Sequence, residues 1–308
     1  MPEQETCLCS SDYPIPLSSR VTVLGNHTIN LFLVQGDRKT ALFEVGISGV
    51  VDAVIQQLDH LGAVPDFLIA SHPHSDHITG LPGLMQRFPA AQVVAGAGAA
   101  KFISHPKAGS LMLAEDAFIS KGLAARGITP GRPPIDTVPD LSDAWEVSDT
   151  VVLDLGGLDL ELFPVKGHSP GNILGRTEDI LFCSDSLGFH FPGRGFWPLF
   201  FTGAREYLDT QAQIQAMAPA IVCPGHQGPL QHQAATAGIQ AGIDAARHFI
   251  ERVTRTSLTD HELEARLFKE SYRDEFTLYT RENIVNCNRL LIKRARQMTD
   301  DGLTGDAG

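Results

Sequence analysis

Phe67-Leu68-Ile69-Ala70-Ser71-His72-Pro73-His74-Ser75-Asp76-His77 is the stretch whose reading decides the fold. Four apolar residues run into three histidines and a carboxylate, followed by Ile78-Thr79-Gly80-Leu81-Pro82. The apolar run predicts a buried strand, and the cluster predicts the loop at its carboxyl end, where sites in α/β proteins gather. Histidine makes up 12 of 308 residues, so three within six positions point to a metal site rather than to chance. Imidazoles at 72 and 74 can converge on one cation, while Asp76 and His77 turn toward a second.

A catalytic divalent ion takes three or more protein ligands, and the chain offers more of them in the same format. Leu158 to Val165 alternates in part like a strand and ends at Lys166-Gly167-His168-Ser169-Pro170-Gly171. Ile180-Leu181-Phe182-Cys183 ends at Ser184-Asp185-Ser186, and Ala220-Ile221-Val222-Cys223 runs into Pro224-Gly225-His226. One histidine after one strand means little, but four such runs in one chain reinforce each other.

This pattern resembles the metallo-β-lactamase-fold hydrolases over roughly residues 20 to 230, and within them the glyoxalase II group and the quinolone-signal response thioesterases acting on 2-aminobenzoylacetyl-CoA. The likeness rests on the histidine-rich motif and on Ala41-Leu42-Phe43-Glu44-Val45-Gly46-Ile47-Ser48, Leu181 to Gly188 and Trp197-Pro198-Leu199. It implies an α/β fold, an αββα sandwich with a C-terminal helical extension. It also implies His72, His74 and His168 on a first metal, Asp76, His77 and His226 on a second, and Asp185 between them. Ser71 stands where threonine is common, a conservative change.

Composition fits a soluble enzyme, since at 308 residues folding buries about 75% of the unfolded chain's surface. The net charge of −12 opposes sequence-independent binding to nucleic acid or to an anionic membrane. Met1 to Thr6 lacks the apolar segment of a secretory signal, and no apolar run approaches the roughly 20 residues of a membrane span. Five cysteines, with Cys183, Cys223 and Cys287 in apolar contexts, read as free thiols in a reducing, cytoplasmic setting. Cys7 and Cys9 are read as part of an unstructured arm, residues 1–19.

Within the expected main domain, 20–229, strands are predicted at 21–26, 29–35, 40–45 and 91–95. Helices are predicted from Val50 to Leu61, stopped by Gly62, and from Leu111 to Leu123. Residues 127–149, with Pro130, Pro133, Pro134 and Pro139, read as an irregular connection. Leu187 to Gly203 carries Phe189, Phe191, Phe196, Trp197, Phe200 and Phe201, either as a packed flap or as a wall of an apolar substrate pocket. His190, Arg194 and Arg205 are polar candidates on that segment.

Residues 230–298 read as helices, which the resemblance places over the active site. Ile239, Ile243, Ala246, Phe249, Ile250 and Val253 form one stripe, Thr259 with Glu262 a capping box, and Arg281 to Met298 a last helix before a disordered tail, 299–308. Such helices can select substrate, complete the core or form a homodimer surface. The substrate-contact candidates are Phe189, Phe196, Trp197, Tyr279, Arg281 and Asn288, with Arg289 beside them.

The expected chemistry is hydrolysis of a small-molecule thioester or activated ester. Two divalent ions (Zn, Fe or Mn) about 3.5–4 Å apart would share a bridging hydroxide, with Asp76 and Asp185 as the catalytic carboxylates. A lactonase or phosphodiesterase on the same metals, or a regulatory protein that keeps them, are the alternatives. Gly167 to Gly171 also matches a serine nucleophile elbow, but the residue after Ser169 is Pro170, which has no N–H for an oxyanion.

Overall fold

The computed structural model describes residues 13–127 and 132–303, with side chains to residue 298. Cys7, Cys9 and the last five residues of the expected tail, 304–308, lie outside the described residues.

The first sheet, seven strands among the described residues, runs in chain order: β1 (Ile15–Pro16), β2 (Val21–Gly25), β3 (Asn30–Gln35), β4 (Thr40–Phe43), β5 (Phe67–Ala70), β6 (Gln92–Gly96) and β7 (Trp145–Val147). It begins as an antiparallel meander and becomes parallel from β4 to β7. Crossovers supply α1 (Val51–Leu61), α2 (Ser75–Ile78), α3 (Leu81–Arg87), α4 (Ala99–Ile103) and α5 (Pro106–Ala125). Gly62 ends α1 at φ 62°, a left-handed cap that costs glycine little.

The second sheet has β8 (Val151–Asp154), β9 (Asp159–Pro164), β10 (Ile173–Thr177) and β11 (Ile180–Ser184). A separate hairpin follows, β12 (Phe189–Phe191) with β13 (Gly195–Trp197), then α6 (Ala204–Met217), before β14 (Ile221–Pro224) and β15 (Leu230–Gln231) complete the sheet in the order β15-β14-β11-β10-β9-β8. The chain ends in α7 (Gln233–Arg255), α8 (Asp260–Ser271) and α9 (Arg281–Leu303).

Strand alternation makes the layers. On β3, Leu31 and Leu33 face α1 and α3, while Phe32 and Val34 face the second sheet. On β11, Ile180 and Phe182 face back, while Leu181 and Cys183 pack with Ile214 of α6 and Ile239 of α7. Phe182 stacks between Phe32 and Phe43 at ring separations of 5.1 and 5.2 Å, joining the two sheets. This is the αββα sandwich that the resemblance implied.

Several boundaries differ from expectation, and α9 runs to Leu303, into the tail expected to be disordered. Ile15–Pro16 pairs with Val23 and Thr22, so part of the expected arm is an edge strand. Trp145–Val147 adds to β6 within the stretch expected to be irregular, a strand too short to show periodicity. Leu230 pairs with Val222, so the second sheet ends past the expected boundary at 229. The capping box of α8 forms: Glu262 N–H donates to Thr259 Oγ1 at 3.3 Å, and Thr259 N–H to Glu262 Oε2 at 2.9 Å. Ile239, Ile243, Ala246, Phe249 and Val253 are the buried stripe of α7.

Candidate metal centre

Each of the seven residues singled out from the sequence reaches one cluster at the strand ends. His72 and His74 follow β5, and Asp76 and His77 sit on α2, the single turn that starts immediately after. His168 lies between β9 and β10, Asp185 follows β11 and His226 follows β14. Six of the seven are buried and His74 is half-buried.

Their ligand atoms fall into two sets, His72, His74, His168 with Asp185, and Asp76, His77 with His226. Asp185 faces both. Its Oδ2 is 3.8 Å from His72 Nε2 and 3.5 Å from His168 Nε2, while Oδ1 is 3.7 Å from His77 Nε2 and 3.6 Å from His226 Nε2. Asp76 Oδ2 lies 3.3 Å from His226 Nε2 and 3.6 Å from His77 Nε2.

Outward hydrogen bonds aim the rings. His168 Nδ1 donates to Leu199 O at 2.7 Å, and His226 Nδ1 to Thr28 O at 2.6 Å. His77 Nδ1 meets Glu44 Oε2 at 3.1 Å, and His72 Nδ1 meets Ser71 Oγ at 3.0 Å and Ser184 Oγ at 3.3 Å. A carbonyl or carboxylate can only accept, so Nδ1 of His77, His168 and His226 carries a proton and each of these rings turns its Nε2 inward. His74 is turned the other way, with Nδ1 3.1 Å from His168 Nε2. His72 Nε2 is buried with no hydrogen-bond partner. Inward nitrogen lone pairs beside two carboxylates, one nitrogen orphaned, are a donor set that fits divalent cations.

Burial and the neighbouring imidazoles hold His72 and His168 well below the ordinary histidine range, and burial brings His74 down to about 4. These three stay neutral, the form that ligates. Burial opposes a charge on His77, yet Glu44, Asp76 and Asp185 outweigh it and push it up to about 10. His77 and His226 face each other Nε2 to Nε2 at 3.1 Å, so without metal one proton sits between them. Burial likewise opposes ionisation of Asp76, but His77, His226 and Tyr279 hold its carboxyl well below the usual range.

Above the cluster opens a cavity of about 380 Å³. His74, Asp76, His168 and Asp185 form its floor, and the aromatic segment, α5, Phe276 and α9 its walls. Of the expected substrate contacts, Phe189, Trp197, Tyr279 and Asn288 line it. Phe196 and Arg281 do not. Phe196 pairs with His190 on the opposite face of the hairpin and packs at 4.8 Å from that ring, because successive strand residues point to opposite sides. The Arg281 guanidinium stacks instead over Phe268 and Tyr272 at 4.7 and 5.3 Å. Arg194 pairs with Asp274, Arg289 with Glu264, and His190 Nδ1 bonds Gln227 O, while Arg205 is exposed on α6.

Sequence reading gave Glu44 no role. It is fully buried, sits at φ 72° and holds His77. A lone acid in the apolar run Ala41-Leu42-Phe43-Glu44-Val45 was its only signal. Glu115 was also missed; it lines the cavity and accepts from Thr280 N at 3.1 Å and from Thr280 Oγ1.

Comparison with known proteins agrees with this geometry. Residues 24–226 match the family model of the metallo-beta-lactamase superfamily. The metallo-beta-lactamase fold-containing protein ST1585 of Sulfurisphaera tokodaii is 29% identical over 53% of this chain and 58% of its own length. The hydroxyacylglutathione hydrolase GloC of Haemophilus influenzae is 26% identical over 51% of this chain and 66% of its own. This chain therefore spans less than two thirds of either relative. Among solved structures, the metallo-beta-lactamase family protein TTHA1429 of Thermus thermophilus superposes with a TM-score of 0.62 at 19% identity, covering 93% of this chain and 95% of that one.

Proposed function

This chain belongs to the metallo-beta-lactamase superfamily, and on that premise we propose that it is a dinuclear metal-dependent hydrolase of thioesters or activated esters. The observation that carries the reading is the convergence of inward imidazole nitrogens and two carboxylates on the floor of a mostly apolar cavity.

In this reading His72, His74 and His168 would hold one ion, and Asp76, His77 and His226 the other, with one Asp185 oxygen turned to each. A divalent pair supplies Lewis acidity toward a carbonyl oxygen and brings the pKa of water toward 7. The chain's own groups do the rest. Glu44, Thr28 O and Leu199 O fix which ring nitrogen faces inward. Tyr279 donates to Asp76 and keeps that carboxylate oriented as an anion. Phe189, Trp197 and Phe201 wall the floor from bulk water. A thiolate, whose conjugate acid has a pKa near about 8.5, leaves without a strong general acid, which favours a thioester over an amide. The N and O donors accept Zn, Fe or Mn.

The test is hydrolysis by the metal-loaded protein of acyl-CoA and glutathione thioesters, an acyl lactone and an aryl phosphodiester, with Asp185→Asn as control. Thioester turnover that vanishes in the control supports the reading. Turnover confined to the lactone or diester moves the assignment to those bonds, and silence on every substrate with two ions bound points to an interaction role.

A further inference from the structure

We infer, resting on the hydrolase reading above, that the cavity is an acyl site: it takes an extended apolar acyl chain, while the polar thiol carrier of the thioester stays at the mouth. Hydrolysis there breaks the acyl–sulfur bond, joins the hydroxyl of water to the acyl carbon and leaves the remaining proton on the thiol.

Three observations carry this. The walls are apolar from both sides, with Leu111 and Met112 of α5 opposite Ile284 and Leu291 of α9, and Trp197 and Phe276 between them. The cavity is long, because α9 lines it from Asn283 to Arg294, about 16 Å of helix axis at about 1.5 Å per residue. Its charge is sparse. Apart from the floor carboxylates, the charged residues among the described lining are Glu115 and Arg294. Thr280 engages Glu115, and Arg294 is tied to the rim through Phe201 O at 3.0 Å and Gln297 Oε1 at 2.9 Å.

Biological thiol carriers are polar and multiply charged: coenzyme A bears phosphates, glutathione carboxylates. Burying such groups against leucine and phenylalanine without partners is prohibitive. The apolar half of the substrate is therefore the half that enters. A volume of about 380 Å³ falls at the low end of small-molecule sites, which suits one acyl chain and not a tripeptide with its acyl group.

The experiment reads binding separately from turnover. The chain has two tryptophans, Trp145 on the exposed edge and Trp197 in the cavity wall, so Trp145→Phe leaves one reporter in the site. The metal-loaded Trp145→Phe protein is titrated with straight-chain carboxylates from butanoate to tetradecanoate, following Trp197 fluorescence. Affinity should rise about fourfold per methylene until the cavity is full, then level off. Leu111→Phe, or Leu290→Phe at the more exposed rim if the first fails to fold, should move the plateau to shorter chains. Affinity indifferent to chain length overturns the acyl site. Chain-length dependence with no substrate of the panel hydrolysed keeps the acyl site and overturns the hydrolase reading. Thioester turnover without chain-length dependence in binding or in kcat/KM does the reverse.

Discussion

Tyr279 donates its hydroxyl to Asp76 Oδ2 at 2.6 Å, the same oxygen that faces His77 and His226, across 203 residues of chain. The segment leading into α9 is thereby fastened to the second half of the cluster. Hydrogen bonds to ionised groups contribute about 1.5–3 kcal/mol, so Tyr279→Phe should leave the fold intact and weaken metal retention by about 10- to 100-fold. Competition with a chelator measures this. Unchanged retention would mean that the hydroxyl only packs the cavity wall.

Glu44 acts from the opposite side of the same half. Its Oε2 accepts from His77 Nδ1 at 3.1 Å, and its Oε1 is buried with no partner. Glu44→Gln keeps the shape but can turn an amide N–H toward Nδ1, favouring the tautomer that points a proton inward. The expected result is about 10- to 100-fold weaker binding of the second metal, with the first retained, read as the number of ions per chain after dialysis. Equal loss of both ions would show that Glu44 supports the cluster as a whole.

The metal residues were legible because each stands where an apolar strand stops, and that pattern is local. Glu44 was not, since its partner lies 33 residues on and nothing in its own run marks the contact. Tyr279 was visible only as one of several polar side chains on the last helices; the fold alone brings it to Asp76. Phe196 and Trp197 could have been told apart. A period of two places Phe189, Phe191 and Trp197 on one face of the hairpin and His190 with Phe196 on the other, but Pro192 and Gly193 made the stretch read as a loop. Arg281 lies at the start of α9, and its stacking on Phe268 and Tyr272 depends on how α8 and α9 pack, which neither helix's pattern encodes.

Gly225 precedes His226 where the backbone passes the cluster. A Cβ built there would meet His77 Cε1 at 2.6 Å and Asp185 Oδ1 at 3.4 Å. Gly225→Ala should therefore displace the His77 ring and cost about 100-fold or more in activity, as a misplacement of about 1 Å does. Stability should move little by comparison, because the clash falls on a side chain of the single-turn α2 and leaves the sheet cores untouched. Thermal unfolding beside kcat/KM separates the two, and a loss of stability matching the loss of activity would point to global damage instead.

Proton release should distinguish the two halves of the cluster. His74 titrates at about 4, and burial keeps His72 and His168 neutral, so metal entering their half at about pH 7.5 displaces almost no proton. His77 is pushed up to about 10 by Glu44, Asp76 and Asp185 against the cost of burial, so without metal it is protonated at the same pH. Metal must displace that proton to reach Nε2. Lowering the pH below about 10 makes the proton a stronger competitor at His77, and second-site affinity should fall about tenfold per pH unit, while first-site affinity should fall less steeply, because its three histidines are already neutral and only Asp185, raised by burial, takes up a proton more readily. Calorimetric titration of the metal-free protein in two buffers of different ionisation enthalpy should give close to zero protons for the first equivalent and about one for the second. In Glu44→Gln, which removes the largest source of the upward shift, the second value should drop. Equal release by both equivalents would refute the division of roles between the two histidine sets.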